Sequence, residues 1–79
     1  MKFSWDPQNI AHVAAHGVAV SVVEAVFDAD DFAVRRVDSL RFVAHGTVSG
    51  KTYRVVAAFV GEDVVYVVSA FRVAKKRAK

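Results

Sequence analysis

The spacing of apolar and polar positions changes along the chain, and each change marks an element. The opening stretch Lys2-Phe3-Ser4-Trp5-Asp6 alternates and predicts a short strand. Asp6 is a good N-cap, Pro7 fits the first helical position, and Trp5 and Ile10 stand where a hydrophobic staple would pair them. Ile10, Val13, Ala14 and Gly17 then recur at helical spacing, with Gly17 a natural stop. A second helix start follows at once. Ser21-Val22-Val23-Glu24 fits the S-x-x-E capping box, and Val22, Val23, Val26 and Phe27 give the apolar face. Asp28-Ala29-Asp30-Asp31 ends it, because carboxylates oppose the dipole at a helix C-terminus.

From Phe32 onward the period is two. Strands are predicted over Phe32 to Val37, Leu40 to Val48, Lys51 or Thr52 to Val60, and Val64 to about Phe71. Turns at Asp38-Ser39, Ser49-Gly50 and Gly61-Glu62-Asp63 separate them, and such short connections make neighbouring strands antiparallel. The expected architecture is α+β, with two N-terminal helices packed on one face of a four- to five-stranded antiparallel sheet. The 79 residues carry no linker and no repeat, so residues 1–79 are read as a single domain.

Alternation also sorts the side chains into faces. Tyr53, Val55, Ala57 and Phe59 share one side of their strand, and Arg54, Val56 and Ala58 the other. Arg41, Val43, His45 and Thr47 share a side, as do Val65, Val67, Ser69 and Phe71, which leaves Tyr66, Val68, Ala70 and Arg72 opposite. With the more apolar faces against the helices, the remaining face collects Arg41, His45, Arg54, Tyr66 and Arg72, with Lys51 and Lys75 near its rim.

Composition sharpens this picture. Hydrophobic residues make up 54% of the chain and valine alone supplies eighteen, more than so small a domain can hide. An apolar surface covered by a protein partner or by a second copy, as a homodimer, is therefore expected. The net charge of +3 conceals an asymmetry: residues 1–40 carry net −3 and residues 41–79 net +6. A basic half suggests contact with phosphate or with an acidic protein segment. There is no cysteine, so no disulfide or thiolate metal site is available. The polar turn after the first few residues argues against a signal peptide, and no uncharged run suits a membrane span, so a cytoplasmic protein without membrane contact is expected.

Several familiar chemistries find little support. His12 and His16 lie four apart on the first helix and share a side, but no Glu follows His12 and no third ligand stands at suitable spacing. No metal or other cofactor is expected, and these histidines are read as capping the helix end or touching another segment. The serines form no G-x-S-x-G elbow. Gly46 to Thr52 ends in the Gly-Lys-Thr of a phosphate-binding loop, but its glycines are one residue too close and it sits in a hairpin.

A basic sheet face with an aromatic ring suits RNA better. The 2′-hydroxyl of RNA can attack its own phosphate, so a protein need only align the strand, stabilise charge on the phosphate and manage two protons. Arg and Lys supply the charge. Tyr66 would stack a base, worth about 1–3 kcal/mol, and His45 or His16 would move protons near neutral pH.

Trp5-Asp6-Pro7, His16-Gly17-Val18 and Glu24-Ala25-Val26-Phe27, in that order and spacing, resemble the start of the BrnT family of small bacterial toxins, which have a RelE-like fold. Arg41-Phe42, Gly46, Gly50-Lys51, Val55-Val56 and Ser69-Ala70-Phe71-Arg72 with Lys75-Lys76 resemble its later pattern. The resemblance implies a metal-independent endoribonuclease of a toxin–antitoxin system, neutralised by a cognate antitoxin protein. Arg54 and Arg72 are then expected to bind the phosphate, with His45 or His16 as proton carrier. Lys51, Lys75, Tyr66 and Arg41 are expected to hold the RNA. The sequence departs from the family pattern where Ala15 replaces a usual Lys, where Tyr66 replaces a common Arg, and where Phe71 interrupts Ser-Ala-Arg. Those departures motivate the alternative, a non-catalytic protein-interaction domain on the same scaffold, acting as a homodimer or with a protein partner.

Overall fold

The computed structural model of the chain describes residues 1–73. Strand β1 (Lys2–Ser4) leads into helix α1 (Pro7–Ala15) through Asp6, whose extended backbone places its side chain as the cap. Its carboxylate accepts from the Asn9 N–H at 2.8 Å, and the Asn9 side-chain oxygen accepts from the Asp6 N–H at 2.8 Å. Two of the helix's otherwise unpaired start groups are thus satisfied reciprocally. Asn9 is buried, and its amide also donates to the Ser4 carbonyl at 2.9 Å, tying the helix start to the strand before it.

The helix stops at Gly17, as the sequence predicts. With φ +74°, Gly17 turns the chain so that its N–H reaches the Ala14 carbonyl and the Val18 N–H reaches the Val13 carbonyl. This is the paired bonding of a Schellman stop, and it buries Val13 and Val18 together.

Helix α2 (Val20–Val26) starts differently from expectation. Its N-cap is Ala19, with no side-chain bond, so the capping box at Ser21 is not formed. Glu24 instead accepts from the Trp5 indole N–H at 2.9 Å. A half-buried indole needs an acceptor, and this long-range demand overrides the local cap. Ile10, expected to staple against Trp5, stays exposed. The two helices meet at 84°, and no single helix among the described residues is long and apolar enough to cross a membrane.

Strands β2 (Ala33–Arg36), β3 (Arg41–Val48), β4 (Lys51–Gly61) and β5 (Val64–Arg72) complete a five-stranded sheet in the order β1-β5-β4-β3-β2. The architecture is α+β, as expected, but the sheet is mixed: β1 runs parallel to β5, pairing Phe3 with Val65. The remaining neighbours are joined by short turns and are antiparallel. No hairpin links β1 to β5, so nothing local imposes the antiparallel direction.

One sheet face packs on the helices through Phe42, Ala44, Val55, Ala57, Val65, Val67 and Ala70, which meet Val13, Val18, Val23 and Val26. Each buried valine contributes about 1.5–3 kcal/mol. Phe27 adds an aromatic hub, with ring centroids 5.0 Å from Phe3, 5.2 Å from Phe32 and 6.3 Å from Phe42. Helix α2 comes so close to β3 that a Cβ on Gly46 would stand 2.7 Å from the Val26 carbonyl oxygen. Only glycine allows that approach.

Beyond Ser4, α1 follows the β5 side of the sheet. Its start meets Tyr66 through Asp6 and its end meets Phe71 through His16, so it runs alongside β5 at the sheet margin.

Candidate functional site

The pairing registers arrange the face opposite the core in rows. In one row Ala33 stands beside His45, His45 beside Arg54, and Arg54 beside Phe71. The next holds Arg35, Val43, Val56 and Ser69, and the one beyond holds Arg41, Ala58 and Tyr66. As alternation predicts, Arg41, His45, Arg54 and Tyr66 all stand on this face.

Arg72 does not. Val56 pairs with Ser69 and Ala57 with Val67, which leaves Val68 as an extra residue, a β-bulge. The bulge inverts the faces beyond it, so Ala70 and Arg72 stand on the helix side, Arg72 opposite Tyr53, while Ser69 and Phe71 come to the open side. Phe71 therefore occupies the place expected for Arg72 beside Arg54. No sequence signal marks the bulge, because Val67 and Val68 are both apolar and suit either face.

Lys51 is also displaced from the expected rim. It opens β4 beside the Ser49-Gly50 turn, exposed, with Val48 as its partner, a position on the helix side. Lys75 lies outside the described residues.

The row centred on Arg54 is a connected set. The Arg54 Nε–H donates to His45 Nε2 at 3.0 Å. A guanidinium has no lone pair, so in this contact the imidazole Nε2 accepts, which leaves Nδ1 as the nitrogen that carries the ring's proton. The Arg54 guanidinium carbon lies 5.9 Å from the centroid of Phe71, within cation–π range. His16, the C-cap of α1, also stands near that ring, with centroids 6.0 Å apart. Of the two proton-carrier candidates, His45 thus bonds Arg54 directly, while His16 meets only Phe71, the residue that alternation places on the other face.

The remaining candidates are held elsewhere. Arg41 is tied to Asp38, with Nε donating to a carboxylate oxygen at 2.9 Å and a terminal nitrogen at 2.8 Å. The backbone N–H groups of Arg41 and Leu40, with the Arg41 side chain, hold the Asp38 carboxyl down at about 2. Tyr66 donates its hydroxyl to the Asp6 carboxylate at 3.2 Å. Desolvation first, and then that carboxylate, push its pKa above the ordinary tyrosine value. Ala58, the neighbour of Tyr66, lies four positions along β4 from Arg54, which puts the Arg54 and Tyr66 rows about 13 Å apart.

Asp31 is an unforeseen participant. It accepts from the Thr47 N–H at 2.8 Å and the Thr47 hydroxyl at 2.6 Å, extending the β2–β3 ladder by a side chain. Those two bonds, the hydroxyl's foremost, lower its pKa.

Comparison with protein-family models, with curated proteins and with solved structures finds no match to this chain.

Proposed function

We propose that the chain is a BrnT-like toxin, an endoribonuclease that cleaves RNA without a metal ion and is neutralised by an antitoxin protein. The observation that carries this reading is the His45–Arg54–Phe71 row, with His16 near its Phe71 end, on a sheet face whose middle strands neither helix crosses. Arg54 keeps its terminal N–H groups for a phosphate while His45 holds its Nε, so the guanidinium is oriented before the RNA arrives. The 2′-oxygen attacks the adjoining phosphorus and the bond to the 5′-oxygen breaks, leaving a 2′,3′-cyclic phosphate and a 5′-hydroxyl. One proton leaves the 2′-hydroxyl and one reaches the 5′-oxygen. His16, exposed beside Phe71, is the proton carrier, and His45 acts by positioning Arg54. Arg72, on the other face, takes no part in phosphate binding. Tyr66, far along the sheet from Arg54, stacks a base of a different nucleotide.

RNA cleavage in EDTA tests this reading. Arg54→Ala is expected to lose about 10²–10³ in rate, the cost of removing one preorganised donor, while Arg72→Ala keeps the parent rate. A parent chain that leaves varied single-stranded RNAs intact at high concentration would overturn it.

The alternative is a non-catalytic interaction domain. Its support is a set of exposed apolar residues, Val34, Val37, Leu40 and Val60, each more than half exposed. Partner binding with no RNA cleavage is its signature, and light scattering separates a homodimer from a monomer awaiting another protein.

A further inference from the structure

At the β2 end of the sheet, on the helix side, a groove of about 200 Å³ opens between Met1, Phe27, Phe32, Val34, Phe42 and Phe59, with Arg36 the one charged side chain in its walls. β2 is the edge strand and every one of its residues is exposed. The Val37 N–H bonds to the Arg41 carbonyl. Hydrogen-bonded pairs alternate in an antiparallel ladder, so Arg35 and Ala33 bond inward to β3, and the N–H and C=O of Val34 and Arg36 point outward. The edge therefore offers two unpaired rungs above an apolar groove.

Charge decides what fits there. Among the described residues two ion pairs form, and neither includes Arg35 or Arg36. A second copy of β2 fits poorly: a two-fold antiparallel pairing that uses all four outward residues sets Arg35 directly against Arg35 of the other copy. That position is the close, non-hydrogen-bonded kind, where like charges repel. A strand carrying a carboxylate there is attracted instead.

We propose that β2 is the docking edge for an acidic segment of a partner protein, which adds as a further strand and drops an apolar side chain into the groove. Run antiparallel, the segment presents a carboxylate to Arg36, a second to Arg35, and an apolar side chain beside Val34, so its signature is two adjacent acids followed by an apolar residue. On the reading above, that partner is the antitoxin. The docking edge itself does not depend on that reading, because it is argued from the outward backbone of β2, its arginines and the groove, and not from the His45–Arg54–Phe71 contacts.

The test uses the whole chain and a synthetic nine-residue strand-forming peptide with Glu-Glu-Val at its centre, beside one with Lys-Lys-Val. The acidic peptide is expected to bind at least tenfold more tightly and to slow amide exchange at Val34 and Arg36. Val34→Pro removes one outward donor at an edge position that tolerates proline, and is expected to weaken the acidic peptide at least tenfold with the fold intact. The double charge reversal Arg35→Glu/Arg36→Glu should turn the preference to the lysine peptide. Equal binding of both peptides, shifts away from β2, or Val34 and Arg36 amides already protected by self-association would each overturn the proposal. RNA cleavage by the parent chain is read in parallel: cleavage decides the reading above and peptide binding decides this one, so either hypothesis can fail alone.

Discussion

The Nε of Arg54 and the Nε2 of His45, on adjacent strands and directly opposite in register, are 3.0 Å apart. An arginine donor fixes which imidazole nitrogen holds the proton, and so fixes the ring's tautomer. Nitrogen-15 spectra are expected to report the Nδ1–H form of His45 in the parent. In Arg54→Ala that preference should relax towards the other tautomer. An unchanged tautomer in the variant would show that the contact does not govern the ring.

Gly46→Ala tests the closeness of α2 to the sheet. The nearest obstacles to a new methyl group are the Val26 carbonyl oxygen, which is backbone and cannot swing aside, and the Ala29 Cβ at 3.0 Å. The expected loss is about 1–3 kcal/mol, the usual cost of overpacking. Urea denaturation with an unchanged slope is the measurement, and a stability equal to the parent's would refute the approach.

At the start of α1, Asp6→Ala should cost about 1 kcal/mol as a lost cap. Asn9→Ala should cost more, about 1–3 kcal/mol, because it strips buried bonds to Asp6 and Ser4 together. Asp6→Ala should also move the Tyr66 titration down towards the ordinary tyrosine value, followed by phenolate absorbance. The raised pKa stabilises the fold fully below about pH 10, and that contribution is lost as pH rises through the folded value.

Acid acts through Asp38 with the opposite sign. Its folded pKa, about 2, lies below the ordinary 3.8, so the turn's stabilisation is complete above 3.8 and is lost as pH falls through about 2. Carboxyl NMR should give a midpoint near 2 for Asp38. In Arg41→Ala it should rise only part of the way to 3.8, since the backbone N–H groups of residues 40 and 41 remain.

How much was legible beforehand follows from where local rules were free to act. The Asp6 cap, the Gly17 stop and the faces of β3 and β4 were legible because each depends on spacing within a few residues. The start of α2 was not, because the Trp5 indole claims Glu24 across 19 residues of chain. The parallel pairing of β1 was hidden for the same reason. In the candidate site, His45 and Arg54 followed from alternation, whereas Phe71 was exchanged for Arg72 by one extra valine. A period-two pattern carries no information about an inserted residue when both neighbours are apolar.

The parallel pairing of β1 with β5 also sets an order of events. Asp6 and Tyr66 meet across 60 residues of chain, and Phe3 lies beside Val65. A ribosome would therefore release the first strand and α1 long before their resting place exists, and they must wait for nearly the whole domain to emerge. The β2–β3–β4 meander can assemble from neighbours, but the first strand closes only on the last. Closing so long a loop is entropically slow compared with hairpin formation. A chain cut short before β5 should therefore leave Phe3 and Val13 uncovered, and folding should register the arrival of β5 as its final, cooperative step.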